Sequence, residues 1–282
     1  MKIPRSLEPL LHDGLIDEVL VQLMSGKEAE VYVVRSGGEI RCAKAYKEVK
    51  HRSFHKQSQY MEGRKVRNSR RSRAMDKHSS FGRQEQESAW QNAEVDALYR
   101  LAAAGVRVPQ PHAFASGVLL MELVIDDDGA AAPRLNDLDL TAEQARAYHR
   151  QLIAEVVRML CAGLVHGDLS EFNVLVAADG PVIIDLPQAI DAAGNNNAGR
   201  LFARDVDNLA AYFGQFAPEL LATAYAEEIW SLYESGILHP ESPLTGRFVR
   251  PEVAADVGIV LREIDDSRRE AMARELGRTR AA

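Results

Sequence analysis

The chain has 282 residues, 46% of them hydrophobic and 27% charged, with a formal net charge of -7, a composition that excludes a disordered or collagen-like chain. Cys42 and Cys161 lie in apolar segments far from any CxxC spacing, which excludes a disulfide framework or a structural zinc site and predicts packing residues in a reducing compartment. No leader-like apolar core opens the chain and no apolar run reaches membrane-spanning length, so the expected address is the cytoplasm, without a membrane partner.

Alternating apolar residues predict strands at 18–24 (EVLVQLM), 30–36 (EVYVVRS) and 39–46 (EIRCAKAY), with Ser36-Gly37-Gly38 as a hairpin turn. The turn between the first two strands, SGKEAEVY from Ser25 to Tyr32, fails as a Walker A loop, because the first glycine is missing and Glu28 stands where Ser or Thr should follow GK. Between antiparallel strands it can still lay backbone N–H groups and the Ser25 hydroxyl over nucleotide phosphates, or serve as an ordinary hairpin turn. In the third strand, the two-residue period puts Lys44 on the face of Ile40, Cys42 and Tyr46, where apolar residues point.

From Lys50 to Arg83 there are eleven Lys and Arg against Glu62 and Asp76, so 11 minus 2, or +9, sits in one serine-rich stretch and -16 in the remainder. With little hydrophobic periodicity, the stretch reads as a long mobile loop. It is either a solvated insertion or a docking surface for phosphate groups, of a nucleotide or of RNA. A helix follows from about Gln84 to Ala104, closed by Gly105 and Pro109. Its apolar stripe of Trp90, Leu98 and Leu101 contains Glu94. A lone buried charge costs several kcal/mol, roughly 3 to 5 when one member of a buried pair is lost, so Lys44 and Glu94 are expected to pair; the alternative is that each reaches the surface.

A fourth strand is predicted at 118–124 (VLLMELV), then a helix from Thr141, whose spacing to Gln144 fits a capping box, to about Ala162. LVHGDLSEFNVLV (164–176) sets His166, Asp168 and Asn173 in an apolar run, and Asp179-Gly180 then separates it from a second run ending at Asp185, which predicts a hairpin. Asn173 enters that hairpin and Asp185 leaves it, so an amide oxygen and a carboxylate should meet at its open end and suit Mg²⁺, or Mn²⁺. Asp168, on the preceding loop, would face a substrate hydroxyl; with Lys44 on the phosphates, the parts of a phosphoryl-transfer site are present in order. His166 is expected to brace the loop. Asn195 to Asn197 form a turn, and helical segments run from Gly199 onward. The fold class is α+β, a small antiparallel sheet with one helix followed by a mostly helical half.

In sequence, SGKEAEVY, CAKAY, the basic insertion, Glu94, HGDLSEFNVLV and IIDLPQAID resemble the RIO family of atypical serine/threonine protein kinases over about Gly14 to Asn208. The resemblance implies a single two-lobed catalytic domain over 1–282, with an N-lobe to about 121, a hinge at 122–126 and a truncated C-lobe from 127. It implies ATP and Mg²⁺ as cofactors: Ser25 covers the phosphates, Lys44 contacts them and pairs with Glu94, and Glu122 and Val124 offer backbone groups to adenine. Asp168 matches the catalytic aspartate, Asn173 and Asp185 match the metal ligands, and the counterpart of Asp185 in this family can accept phosphate as an aspartyl intermediate. Pro187 in the third position of the metal-binding tripeptide argues against a mobile DFG-type switch. The lack of room before Gly14 for a winged helix favours branches without that module. The loop at 50–83 implies contact with ribosomal RNA or particles, though it is richer in arginine than is usual. Aminoglycoside or choline-type phosphotransferases share HGDL and the spaced asparagine and form one alternative, against which DLPQA and SGKEAEVY speak. A pseudokinase scaffold that binds RNA is the other, against which the complete polar set speaks.

Overall fold

The computed structural model describes residues 3–47 and 80–249, with side chains in the helix from Ser80 described from residue 91 onward. The chain divides into two units, Met1–Arg247 and Phe248–Ala282, and the elements below belong to the first. The basic stretch from 48 to 79 and the chain beyond 249 lie outside the described residues.

A short helix, α1 (Glu8–His12), precedes three antiparallel strands, β1 (Glu18–Ser25), β2 (Ala29–Ser36) and β3 (Glu39–Tyr46). Ser36 pairs with Glu39 across a two-residue turn in which Gly37 and Gly38 both have positive φ, 60° and 84°, the geometry that matches the twist of a hairpin and that glycine adopts without strain. Helix α2 (Ser80–Ala103) follows, then β4 (Pro111–Ala115) and β5 (Val118–Glu122), completing a five-stranded sheet in the order β1-β2-β3-β5-β4. The helix starts at Ser80, so residues 80–83, expected in the loop, are helical; a run of good helix formers from Arg83 to Glu87 carries no breaker. The edge strand β4 opens on Pro111, which is tolerated where no ladder N–H is needed and which hides the strand from pattern reading.

The two faces of the sheet bury different things. Ala43 and Ala45 of β3, with Val118 and Leu120 of β5, pack under α1 against Leu7, Leu10 and Ile16. The alternate face turns Leu119 into the main core, where it meets Val95, Leu98 and Leu101 of α2. Cys42 is buried, and burial pushes its thiol up to about 12, so it is a packing residue. Cys161, expected to pack, is exposed, because it falls on the last residue of its helix and off the apolar stripe.

The second half contains α3 (Ala142–Cys161), β6 (Leu164–Val165), the hairpin β7 (Val174–Ala177) and β8 (Gly180–Ile183), β9 (Ile190–Asp191), α4 (Ala198–Phe213) and α5 (Tyr225–Glu234). Leu152, Val156, Met159 and Leu160 of α3 join Leu201, Phe202, Leu209 and Phe213 of α4 in the main core. Thr141 caps α3: its hydroxyl accepts the Gln144 N–H, and the Gln144 side chain accepts the Thr141 N–H. Both halves of the box are made, so Thr141→Ala should lower the unfolding free energy by about 1 kcal/mol in urea titrations, while Thr141→Asn retains most of it.

Candidate functional site

Between sheet and helices lies a cavity of about 580 Å³, lined by Met24 and Gly26 to Ala29 above, Met121 to Val124 behind, and Pro133, Arg134, Ile184 and Asp185 below. That volume suits a nucleotide-sized ligand. Lys44, Glu94, Glu122, Val124 and Asp185 line it; Ser25, Asp168 and Asn173 do not.

The expected ion pair is present and has a third member. The Lys44 ammonium donates to Glu94 Oε1 at 2.6 Å and to Asp185 Oδ1 at 3.0 Å. Burial alone would depress this lysine, but Glu94 and Asp185 outweigh it and push its pKa above the ordinary value. Burial alone would raise Asp185; the Lys44 charge and hydrogen bond, helped by His166 and Arg134, hold it below the usual carboxylate range. Lys44 also sits 5.5 Å from the centre of the Tyr46 ring. Burial and the nearby Glu94 carboxylate drive the Tyr46 phenol upward.

Asp185 leaves β8 with φ at +66°, a left-handed conformation for a non-glycine residue, and Ile184 N–H donates to Asn173 O at 3.0 Å. The hairpin therefore sets Asn173 and Asp185 at its open end. Asn173 Nδ2 donates to the Asp168 carbonyl at 2.8 Å, which fixes its amide and leaves Oδ1 as the donor for a cation. Among the described residues no group of three or more His, Cys, Asp or Glu could hold a metal. Two oxygen ligands with room for water and phosphate fit Mg²⁺, which keeps several waters and seldom takes an all-protein cage.

The loop before Asn173 is tied down from beneath. Asp205 of α4 is buried and accepts the N–H groups of Gly167 and Leu169 at 2.7 and 3.0 Å, while Asn208 Nδ2 donates to Leu169 O at 3.0 Å. His166 Nδ1 accepts the Asp168 N–H at 3.3 Å, so Nε2 carries the proton and donates to Ile184 O at 3.1 Å; it is a brace between loop and hairpin. The Asp168 carboxylate, half exposed, takes one hydrogen bond from Gln188 Nε2 at 3.1 Å and lies 3.9 Å from the Arg204 guanidinium.

One expectation from sequence changes. Ser25 Oγ is captured away from the cavity, donating to Glu30 at 3.4 Å and accepting from Lys47 at 3.0 Å. Lys47 also donates to Gly26 O at 2.9 Å, so it braces the turn from outside. Glu122 lines the cavity, with its N–H donating to Gln110 O and its carboxylate held by both terminal nitrogens of Arg107 at 3.0 Å. Val124 O accepts the Ala132 N–H, and its own N–H has no partner among the described residues.

Sequence reasoning missed Asp205 and Arg107. Asp205 had a signal, a carboxylate within the buried stripe of Leu201, Phe202, Val206 and Leu209. Arg107 had none: it joins Glu122 to Asp179 on the β7–β8 turn, and its N–H donates to Glu155 of α3 at 2.9 Å.

Burial pushes the Asp205 carboxyl up to about 6, against the pull of His166, the two N–H donors and Arg204. A folded pKa above the unfolded value of about 3.9 gives a contribution that is complete below about pH 4 and lost as pH rises through about 6. In urea unfolding across this range, the difference between wild type and Asp205→Asn should therefore move toward the variant by up to roughly 3 kcal/mol as pH rises. A pH-independent difference would contradict the assignment.

The RIO domain family matches residues 30–226. The chain is 34% identical over 209 residues to the RIO-type serine/threonine-protein kinase Rio1 of Haloferax volcanii, covering 72% of this chain and 66% of that protein. It is 31% identical over 211 residues to the serine/threonine-protein kinase rio1 of Schizosaccharomyces pombe, covering 72% of this chain and 40% of the relative. To human serine/threonine-protein kinase RIO1 it is 31% identical over 206 residues, again 72% of this chain but 34% of the relative. The chain thus spans between a third and two thirds of the length of these relatives. It belongs to the RIO domain family.

Proposed function

We propose that the protein is an ATP-dependent RIO-type serine/threonine protein kinase that also turns over ATP alone. The observation that carries this reading is the Lys44 ammonium held by Glu94 and Asp185 at the mouth of a nucleotide-sized cavity. An ammonium has three N–H donors, and two are used, so the third can meet a phosphate oxygen. Met121, Leu123 and Val124 offer apolar surface to adenine, with the Val124 N–H as its hydrogen-bond donor, and the turn from Gly26 to Ala29 covers the phosphates.

Asn173 and Asp185 would hold Mg²⁺, or Mn²⁺, which would supply positive charge to neutralise the phosphate chain. Asp168 orients the acceptor hydroxyl of serine or threonine and takes its proton as the new P–O bond forms and ADP leaves. The relatives' printed names favour a protein acceptor. In the absence of an acceptor, Asp185 can attack the γ-phosphorus itself, releasing ADP and leaving an acyl phosphate that water hydrolyses.

Free, unpaired thiols at Cys42 and Cys161 suit a reducing compartment, and among the described residues no helix is long and apolar enough to cross a membrane. The +9 stretch from Lys50 to Arg83 supports contact with RNA, including ribosomal RNA, although most of it lies outside the described residues.

Incubation with γ-labelled ATP and Mg²⁺ tests the enzymatic reading. Asp168→Asn and Asp185→Ala should each lower turnover by at least roughly 10²-fold; variants that behave like wild type would show the site to be misassigned. Hydroxylamine-labile label marks an aspartyl phosphate, acid-stable label marks Ser or Thr, and transfer only to small alcohols would replace the protein kinase with a small-molecule phosphotransferase. For the basic stretch, deleting residues 52–80 should weaken binding to ribosomal RNA and flatten its salt dependence. Unchanged affinity would end the RNA proposal.

A further inference from the structure

Two of the cations that line the cavity are held very differently. Lys44 is neutralised by two carboxylates. Arg134 is half-buried, and among the described residues its guanidinium forms no salt bridge: its charge acts on Asp185 only across the cavity floor, and its one hydrogen bond runs from Nη2 to Met24 Sδ at 3.4 Å. Met24 is the penultimate residue of β1, beside the turn from Gly26 to Ala29, so this contact crosses the cavity from floor to roof. A thioether is a weak acceptor, and a guanidinium carries five N–H donors that a partly buried site must satisfy.

The backbone that carries Arg134 is rigid. Arg134 forms an antiparallel bridge with Leu175, its carbonyl accepts the Asp137 N–H at 3.0 Å, and the preceding Pro133 carbonyl accepts the Val176 N–H at 2.9 Å. Leu135 beside it is fully buried, and its carbonyl accepts the Tyr212 hydroxyl at 2.7 Å. The side chain is therefore launched from a fixed platform into the cavity. Asp185 lines the same floor.

We infer that Arg134 is an additional nucleotide-binding residue, gripping the phosphate chain of ATP from the floor of the cavity opposite Lys44 and exchanging its weak Met24 contact for phosphate oxygens. This rests on the reading of the cavity as an ATP site. A planar, always-charged guanidinium can take two phosphate oxygens at once, which a lysine cannot reproduce. With Lys44 and the exposed Lys27 on the sheet side and Arg134 on the floor, the triphosphate is held between opposed cations. Because Met24 is released as phosphate is gripped, nucleotide binding also frees the end of β1 to settle over its ligand.

The test is a set of binding titrations on the full chain with ATP, ADP and adenosine, each in the presence of Mg²⁺. Arg134→Ala should weaken ATP and ADP roughly ten- to hundredfold and leave adenosine unchanged, because the lost contact is to phosphate. Arg134→Lys should recover part of the loss. Arg146→Ala, which removes a surface arginine paired with Glu219, should bind all three as wild type does. Equal ATP affinity in wild type and Arg134→Ala overturns the inference and leaves the kinase reading intact. Parallel weakening of adenosine also overturns it, since that result would mean a role in shaping the cavity. A wild-type protein that binds no ATP would instead remove the kinase reading on which the inference rests.

Discussion

Everything in the site depends on the charge of Lys44 being retained in a place where little water reaches it. Its side chain is 16% exposed, and Glu94 is 5% exposed, so neither ion would be stable in that position alone. Loss of one member of such a buried pair costs on the order of 3 to 5 kcal/mol, mostly through the charge left behind. The pair is therefore a mutual condition: β3 and α2 hold their relative positions because each supplies the other's counter-ion. Asp185 extends the condition to the hairpin. Three elements distant in sequence, around residues 44, 94 and 185, are brought into register by one ammonium group.

A second polar anchor, below the first, orders the loop that carries Asp168. Asp205 gathers two backbone N–H groups, His166 links the loop to the carbonyl of Ile184, and Asn173 reaches back to the carbonyl of Asp168. Buried polar groups of this kind have no tolerance for half-satisfied geometry, because an unpaired donor or acceptor carries its full desolvation cost. The Asp168 carboxylate itself makes few contacts, and the strain at Asp185, with its positive φ, sits where the two anchored systems meet. The loop is held by these hydrogen bonds from beneath, which leaves the Asp168 carboxylate half exposed.

What the sequence disclosed and what it hid divide along a physical line. Lys44 and Glu94 stood out because each occupies an apolar face of a regular element, where the period fixes the direction of the side chain. Asn173 and Asp185 were brought together by the turn signal at Asp179-Gly180; the observed two-residue connection is Ala178-Asp179, with Gly180 already in β8, and such a connection sets the register of its strands. By contrast, Ser25 lies where a turn residue would be expected to face phosphate, yet Lys47 and Glu30, from neighbouring strands, take its hydroxyl. The partners of Arg107 come from β5, the β7–β8 turn and α3, and no local pattern encodes a residue that joins three separate elements. The edge strand β4 and the five-residue α1 were also missed, since neither is long enough to show a period. Position along a regular element is legible in one dimension; capture by a distant group is not.

Arg107 has one more mechanical meaning. It lies just past the end of α2, and its side chain, N–H and carbonyl are all committed to other elements, the carbonyl accepting the Ile183 N–H at 2.9 Å. The C-terminal end of α2 is thus pinned while the helix continues back to Ser80, about 35 Å away along its axis. A helix fixed at one end is a lever. Any tilt about the pinned end moves Glu94 by about two fifths of the displacement at Ser80, given the uniform rise per residue. Whatever grips the far end of α2 therefore acts, through that arm, on the carboxylate that holds Lys44 in place.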